Sequence, residues 1–163
     1  MAKTEQLQIR VTAAEKAQIK ARARQANEDV SGWVLKQLLP GAEVRFQALC
    51  KTLATLPTAR ADGFTDLDDF LAGSSAKTLL HAVAQPPRVD LEPFAANYLA
   101  AMIEQNCVVT AIDLPVWLAD IEPLLNPWFA SSLASLRLHL LTNSPPAFRR
   151  RNLFIDGPVE VPG

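Results

Sequence analysis

Polar side chains with the chemistry to contact DNA bases occupy every second position near the start of the chain: Gln6, Gln8 and Arg10. In the major groove, the amide of Gln can form two hydrogen bonds with adenine, and the guanidinium group of Arg can do the same with guanine. Because side chains alternate between the two faces of a β-strand, a strand over residues 5–12 would present all three on one face. The apolar residues between them would occupy the other face, so the alternation predicts a half-buried strand.

A second group of residues, between positions 31 and 36, is suited to bind an anion. Ser31 is a favourable N-cap for a helix with the sequence GWVLKQLL, and Gly32 is the first residue of that helix. The free backbone amides at a helix N-terminus attract anions such as phosphate. Lys36 adds a positive charge one turn further along, and Pro40 is expected to stop the helix.

Candidate catalytic and metal-binding residues are sparse. His81 and His139 are single histidines in apolar helical segments, where a packed or surface histidine is more common than a ligand or a base. The acidic cluster of Asp66, Asp68 and Asp69 lacks the Gly turn and the distal Glu of a calcium loop, and we interpret it as the start of a helix. The sequence also lacks the spacings of zinc sites, phosphate-binding loops and nucleophile elbows. We therefore predict that the protein is not an enzyme and uses no metal or cofactor.

Two predicted helices must position the N-terminal polar groups. Thr12 and Glu15 form a capping box that starts the first helix, which is expected to run to Ala26. Asn27 can take the left-handed conformation that ends a helix, a position usually given to Gly. One strand followed by two helices has no hydrogen-bonding partner for the strand and no cover for the apolar face. The segment is therefore expected to pair with a second chain.

This order of strand, capped helix, short turn and second helix resembles the ribbon-helix-helix family over about residues 4–40. In that family, two chains contribute antiparallel strands to one ribbon that enters the major groove. The resemblance implies a homodimer, or a higher even oligomer, that binds double-stranded operator DNA. It implies base-reading roles for Gln6, Gln8 and Arg10, and it places Ser31 and Gly32 at the turn that holds a phosphate. We predict that Lys36 is a further phosphate contact.

Charge is distributed unevenly along the chain, whose net charge is −1. Residues 1–40 hold 7 basic and 4 acidic side chains, a charge of +3, and the remainder holds 9 basic and 13 acidic side chains, a charge of −4. A basic first part and an acidic remainder favour two different partners, one of them nucleic acid.

Residues 41–163 are predicted to form a mainly helical C-terminal domain, so that the whole protein is mostly α. Helical spacing marks several segments, at 42–56, 76–84, 91–106 and 132–142. Pro57 to Gly63 predict a break, and residues 152–156 are typical of a strand without an evident partner in this chain. Such a strand could pair with another molecule.

The last part of the chain is rich in residue types that dominate protein interfaces. Two interpretations stay open for it: the closing core segment of a helical domain, or a surface for a protein partner with the acidic residues at 66–69 at its rim. The arginine run could instead contact DNA phosphates. The candidate partner-binding residues are Trp128, Phe129, Phe148, Arg149, Arg150, Arg151 and Phe154.

The two cysteines and the longest apolar runs indicate in which compartment of the cell the protein is expected. Cys50 and Cys107 are far apart without CxxC spacing, so we expect reduced thiols in a cytoplasmic protein. No apolar run reaches the roughly 18–20 residues that cross a bilayer, so we expect no membrane insertion.

A ribbon-helix-helix segment with a longer C-terminal body resembles the antitoxins of bacterial toxin–antitoxin operons. The resemblance implies an autorepressor that neutralises a co-encoded toxin through its C-terminal region. The end of the chain is also similar to small proteins encoded beside nucleotidyltransferase-like toxins. Two alternatives stay open: a plasmid mobilisation accessory protein that helps a relaxase at a transfer origin, and a stand-alone repressor whose C-terminal domain senses a ligand.

Overall fold

A computed structural model describes residues 8–38, 41–55 and 60–156. The chain divides into two compact units, Met1–Gly41 and Ala42–Gly163, and this division falls next to the change in charge near residue 40. Helices dominate the described residues of both units, which confirms the prediction of a mostly α protein.

The N-terminal unit contains two helices, α1 at Ala13–Gln25 and α2 at Val30–Leu38. Thr12 caps α1, and the predicted capping box with Glu15 is present. Asn27 follows the helix with φ of 54°, the left-handed conformation predicted for it. Residues 8–12, the described part of the predicted strand, form no strand in the single chain, and residues 5–7 lie outside the described residues.

The second unit contains six further helices in its described part: α3 at Ala42–Thr55, α4 at Arg60–Ala72, α5 at Ala76–Ala82, α6 at Pro93–Val109, α7 at Arg137–Asn143 and α8 at Pro146–Arg149. Helix α3 packs on α4 and α5, while α6 packs on α4 and α8. The Ser75 hydroxyl caps α5 by accepting a hydrogen bond from the Thr78 amide. The helices predicted at 42–56, 76–84 and 91–106 are therefore present, with ends that differ by a few residues.

Helix α4 corrects two expectations. The predicted break extended to Gly63, but α4 begins at Arg60. The acidic residue of its first turn is Asp62, whereas the three acidic residues at 66, 68 and 69 lie in the interior of the helix. The described residues include no group of His, Cys, Asp and Glu placed to hold a metal ion.

Helix α6 runs through the core of the second unit. Its side chains Leu99, Ile103 and Cys107 are fully buried, and so are Leu53 of α3 and Leu79 of α5. A helix that is apolar on most of its circumference is stable only when neighbours cover it on several sides. None of the described helices is both long enough and apolar enough to span a bilayer.

The C-terminal part of the second unit closes the core with short elements. Two 3₁₀-helices, Val116–Asp120 and Ala134–Leu136, accompany two short strands, β1 at Trp128–Phe129 and β2 at Leu153–Phe154. The strands pair in parallel. The strand predicted near residue 154 therefore finds its partner within its own unit, a pairing that local sequence does not reveal because 23 residues separate β1 from β2.

Candidate nucleic-acid interface

The capping box anchors the segment that carries Arg10 to the start of α1. The Thr12 amide donates to Oε2 of Glu15 at 2.7 Å, and the Glu15 amide donates to Oγ1 of Thr12 at 3.3 Å. The hydrogen bonds from Thr12 hold the pKa of Glu15 below its ordinary value, because they favour the charged carboxylate. The chain therefore enters α1 at a defined point two residues after Arg10.

An apolar groove of about 640 Å³ lies between the N-terminal segment, α1 and α2. Its apolar lining consists of Ile9, Val11, Ile19, Val30 and Val34. In the single chain, Ile9 is 60% exposed, Val11 is 44% exposed and Val30 is 40% exposed. Apolar side chains exposed this close together are typical of a surface that another chain covers.

The described residues of the N-terminal unit form almost no core of their own. Ala23 is the only buried residue among those described in this unit. Two helices that bury one alanine cannot offset the entropy of ordering their backbone. The unit therefore depends on further burial, and the groove is the surface that offers it.

Positive charge lies beside this groove. Arg10 from the N-terminal segment and Lys16 and Lys20 from α1 line it together with the apolar residues. All three side chains are exposed, and Arg22 and Arg24 follow on the exposed surface of α1. Such a concentration of cations attracts the phosphate backbone of DNA independently of base sequence.

The start of α2 differs from the prediction. Asp29, and not Ser31, caps the helix: the Gly32 amide donates to Oδ1 of Asp29 at 2.9 Å, and the Trp33 amide donates to its backbone oxygen at 2.9 Å. Asp is as good an N-cap as Ser, and it stands two residues earlier in the sequence. Its carboxylate therefore occupies the end of the helix where a phosphate was expected. A Cβ atom at Gly32 would lie 3.0 Å from Oδ2 of Asp29, so this cap favours Gly at position 32.

The predicted DNA contacts can be compared with the structure residue by residue. Gln8, Arg10 and Ser31 are exposed, and Gly32 is half-buried against the cap. Gln6 and the side chain of Lys36 lie outside the described residues. Arg10 lines the same groove as Val30, the first residue of α2, so the groove brings the N-terminal segment and the start of α2 together.

Three of the candidate partner-binding residues belong to the core of the second unit. Phe148 is 5% exposed, Arg151 is 7% exposed and Phe154 is 8% exposed. The guanidinium group of Arg151 donates to the backbone oxygens of Leu118 at 3.2 Å and Ile121 at 3.4 Å. These side chains therefore hold the C-terminal elements together and offer no surface to a partner, as the core interpretation of this segment expected.

The other four candidates have different environments. Arg150 is exposed but forms an ion pair with the buried Glu104, so the arginine run is not a patch of free cations. Arg149 is exposed at the end of α8, and Phe129 stacks on the ring of Phe154. Trp128 is 37% exposed.

Comparison with known proteins gives a match for the first part of the chain. Residues 1–46 match the model of a family described as NikA-like, mobilization protein NikA. This segment is 46 of the 163 residues and spans the N-terminal unit and the beginning of α3. No curated protein and no solved structure matches the chain. The N-terminal part of the chain is therefore similar to a family of mobilization proteins.

Proposed function

We propose that this protein is a DNA-binding accessory protein of plasmid mobilisation, and that its N-terminal unit binds DNA as a ribbon-helix-helix dimer. The observation that carries the proposal is the match of residues 1–46 to the NikA-like mobilization proteins. It favours the mobilisation alternative over the antitoxin prediction, for which neither the match nor the fold offers support. A co-encoded toxin has no such support either.

The groove supports the dimer. A second copy that brings its own residues 8–12 beside the first would cover Ile9, Val11 and Val34 and would supply the missing strand of a ribbon. Burial of apolar surface contributes about 25 cal/mol per Å², so a second copy that covers these side chains would add to the stability of each unit. Strand pairing across the two copies also satisfies backbone groups that a single chain leaves open.

Charge supports the DNA contact. Arg10 would face the major groove from the ribbon, while Lys16 and Lys20 would add attraction to the phosphates. The net charge of +3 on residues 1–40 suits this surface, whereas the −4 of the remainder would repel DNA. The DNA surface in this proposal is therefore confined to the N-terminal unit.

The experiment measures binding of the full chain to three labelled DNA duplexes by fluorescence anisotropy: the transfer origin of the element that carries the gene, the promoter of the gene itself, and a shuffled sequence. We expect binding to the transfer origin to be at least about 1,000-fold tighter than to the shuffled duplex, in the range of specific protein–DNA recognition. Strongest binding to the promoter would identify a repressor instead. Equal binding to all three duplexes would contradict the proposal.

A further inference from the structure

Four aromatic side chains form one partly exposed surface on the second unit. Phe64 comes from α4, Phe94 and Tyr98 come from α6, and Trp128 comes from β1. We call these four residues the aromatic surface. Trp128 is the most exposed of them, at 37%, and the other three are half-buried.

Helical spacing and ring contacts make this surface continuous. Phe94 and Tyr98 are one turn apart on α6, with ring centroids separated by 5.7 Å. The Phe64 ring lies 4.4 Å from that of Tyr98, and the Trp128 ring lies 4.9 Å from that of Phe94. On the core side, the ring centroid of buried Phe148 lies 5.3 Å from that of Tyr98. The rings are therefore fixed by the core while part of each stays open to solvent.

The polar ends of the aromatic surface have no partner within the described residues. Neither the Trp128 indole N–H nor the Tyr98 hydroxyl forms a hydrogen bond there, whereas the Trp117 indole donates to the Val83 backbone oxygen at 2.8 Å. Tyr and Trp that combine an apolar ring with an open polar group are enriched where proteins meet. Tyr98 and Trp128 give the aromatic surface the same combination of apolar rings and open polar groups.

Negative charge borders the aromatic surface. Asp68 is one turn from Phe64 on α4 and is exposed. It is close enough to Tyr98 that its charge adds to the effect of burial in raising the pKa of the Tyr98 hydroxyl. Asp66 and Asp69 are also exposed on α4 but lie on other sides of the helix, two and five residues after Phe64. Carboxylates beside aromatic faces attract cations in two ways, by Coulomb interaction and by the negative potential of the rings.

We propose that the aromatic surface binds a basic segment of a partner protein, with an Arg or Lys side chain on the ring of Trp128 and its charge beside Asp68. The charge on the second unit favours this partner, because residues 41–163 have an excess of four acidic side chains. Single-stranded nucleic acid, which also stacks on aromatic rings, is disfavoured because the carboxylates repel its phosphates. This inference goes beyond DNA binding and does not depend on it.

The test uses the full chain and a short fluorescein-labelled peptide of alternating Arg and Leu, with a peptide of alternating Glu and Leu and a single-stranded oligonucleotide as competing probes. We expect the basic peptide to bind, and Trp128→Ala and Asp68→Asn each to weaken it by about tenfold, the effect of losing one central contact. The matched controls are Leu125→Ala, which removes a leucine that is 94% exposed, and Asp113→Asn. Asp113 follows α6, which rises about 22 Å from Phe94 to its C-terminal end. Both controls should bind the peptide as the natural chain does.

A second readout separates binding from folding. The indole ¹H–¹⁵N resonance of Trp117, whose hydrogen bond depends on the packed core, should stay unchanged in every variant. The Trp128 resonance should shift on addition of the basic peptide. Unchanged peptide affinity in folded Trp128→Ala and Asp68→Asn variants would overturn the proposal. The proposal would also be overturned if the acidic peptide or the oligonucleotide bound at Trp128 more tightly than the basic peptide does, as judged by the shift of the Trp128 resonance.

Discussion

The guanidinium Nη2 of Arg151 lies 3.8 Å from Oε2 of Glu104, and both side chains are more than nine-tenths buried. Glu104 belongs to the central helix α6, and Arg151 follows α8. The pair therefore joins the middle of the core to the last elements of the second unit. Burial lowers the pKa of Arg151, while the charge of Glu104 opposes that shift.

Removing one partner of this pair should destabilise the second unit. Glu104→Ala would leave the buried Arg151 guanidinium without its opposite charge, so we expect it to lower the free energy of unfolding by about 3–5 kcal/mol. Arg151→Ala leaves Glu104 paired with Arg150 but removes the hydrogen bonds to two backbone oxygens, so we expect a smaller loss of about 1–3 kcal/mol. The double substitution should cost less than the sum of the two. Urea denaturation followed by circular dichroism measures these changes. Arg149→Ala, which removes an exposed neighbour, should change stability by less than about 0.5 kcal/mol. An equally small effect of Arg151→Ala would contradict the role given to the pair.

The thiols of the second unit should be unreactive in the folded protein. Burial raises the pKa of Cys50 to about 12 from 9.0, and it also raises the pKa of Cys107. Since only the thiolate reacts, we expect a chromogenic disulfide reagent at about pH 8 to detect no thiol until denaturant is added, and then two. The folded state keeps these protons, so its stability is full below about pH 9 and falls as the pH rises toward 12. Rapid labelling of both thiols without denaturant would contradict this burial.

Features that depend on a few adjacent residues could be predicted from the sequence. The capping box of Thr12 and Glu15 and the left-handed Asn27 are of this kind, because their energetics are settled within one helical turn. The choice between Asp29 and Ser31 as N-cap is harder, because both residue types suit the position. A cap at Asp29 places Val30 inside α2, one turn before Val34, and both side chains line the groove.

Features that depend on distant pairing could not be predicted in this way. Aromatic residues and Arg occur both in cores and in interfaces. Residue type alone therefore does not show whether Phe148 and Phe154 lie in a core or in an interface. Their burial follows from the pairing of β1 with β2 across more than 20 residues of chain and from the hydrogen bonds of Arg151 to two backbone oxygens. The aromatic surface needs three separate elements to meet, and only the one-turn spacing of Phe94 and Tyr98 is visible in the sequence.

A charge placed in the groove of the N-terminal unit should prevent dimer formation. We expect Val34→Asp to turn a dimer into a monomer at low micromolar concentration, because a buried carboxylate without a partner costs several kcal/mol. Multi-angle light scattering measures the change. Leu138→Asp is the matched control, since Leu138 is 73% exposed on α7 and lies in the other unit. A natural chain that is monomeric under these conditions would contradict the ribbon-helix-helix interpretation.

Arg10 and Lys20 should contribute differently to DNA binding. Arg10→Ala should cost about 1–3 kcal/mol on the preferred duplex and should relax the preference at one base pair. Lys20→Ala should weaken binding to all duplexes alike. It should also make the dependence on salt shallower by about two units of log–log slope, because each dimer loses two lysines. Anisotropy titrations at several salt concentrations distinguish the two patterns. If Arg10→Ala leaves discrimination between duplexes unchanged, the N-terminal segment does not contact the bases.

Removing the negative charge that caps α2 should strengthen DNA binding. In Asp29→Asn the side-chain oxygen can still accept the hydrogen bond from the Gly32 amide, so the cap remains. We expect stability to fall by less than about 1 kcal/mol, the value of a charge at a helix end. Affinity for DNA should rise a few-fold at low salt, because a phosphate at the start of α2 would no longer meet a carboxylate.

Two control variants separate the charge of Asp29 from its role as a cap. Asp29→Ala removes both, so it should lower stability by about 1 kcal/mol. Asp113→Asn removes an equal charge from the second unit and should leave DNA affinity unchanged, because the proposed DNA surface is confined to the N-terminal unit. An unchanged affinity in Asp29→Asn would mean that DNA does not approach the start of α2. The phosphate-contacting roles predicted for Ser31 and Gly32 would then be wrong, even where Arg10 still determines base preference.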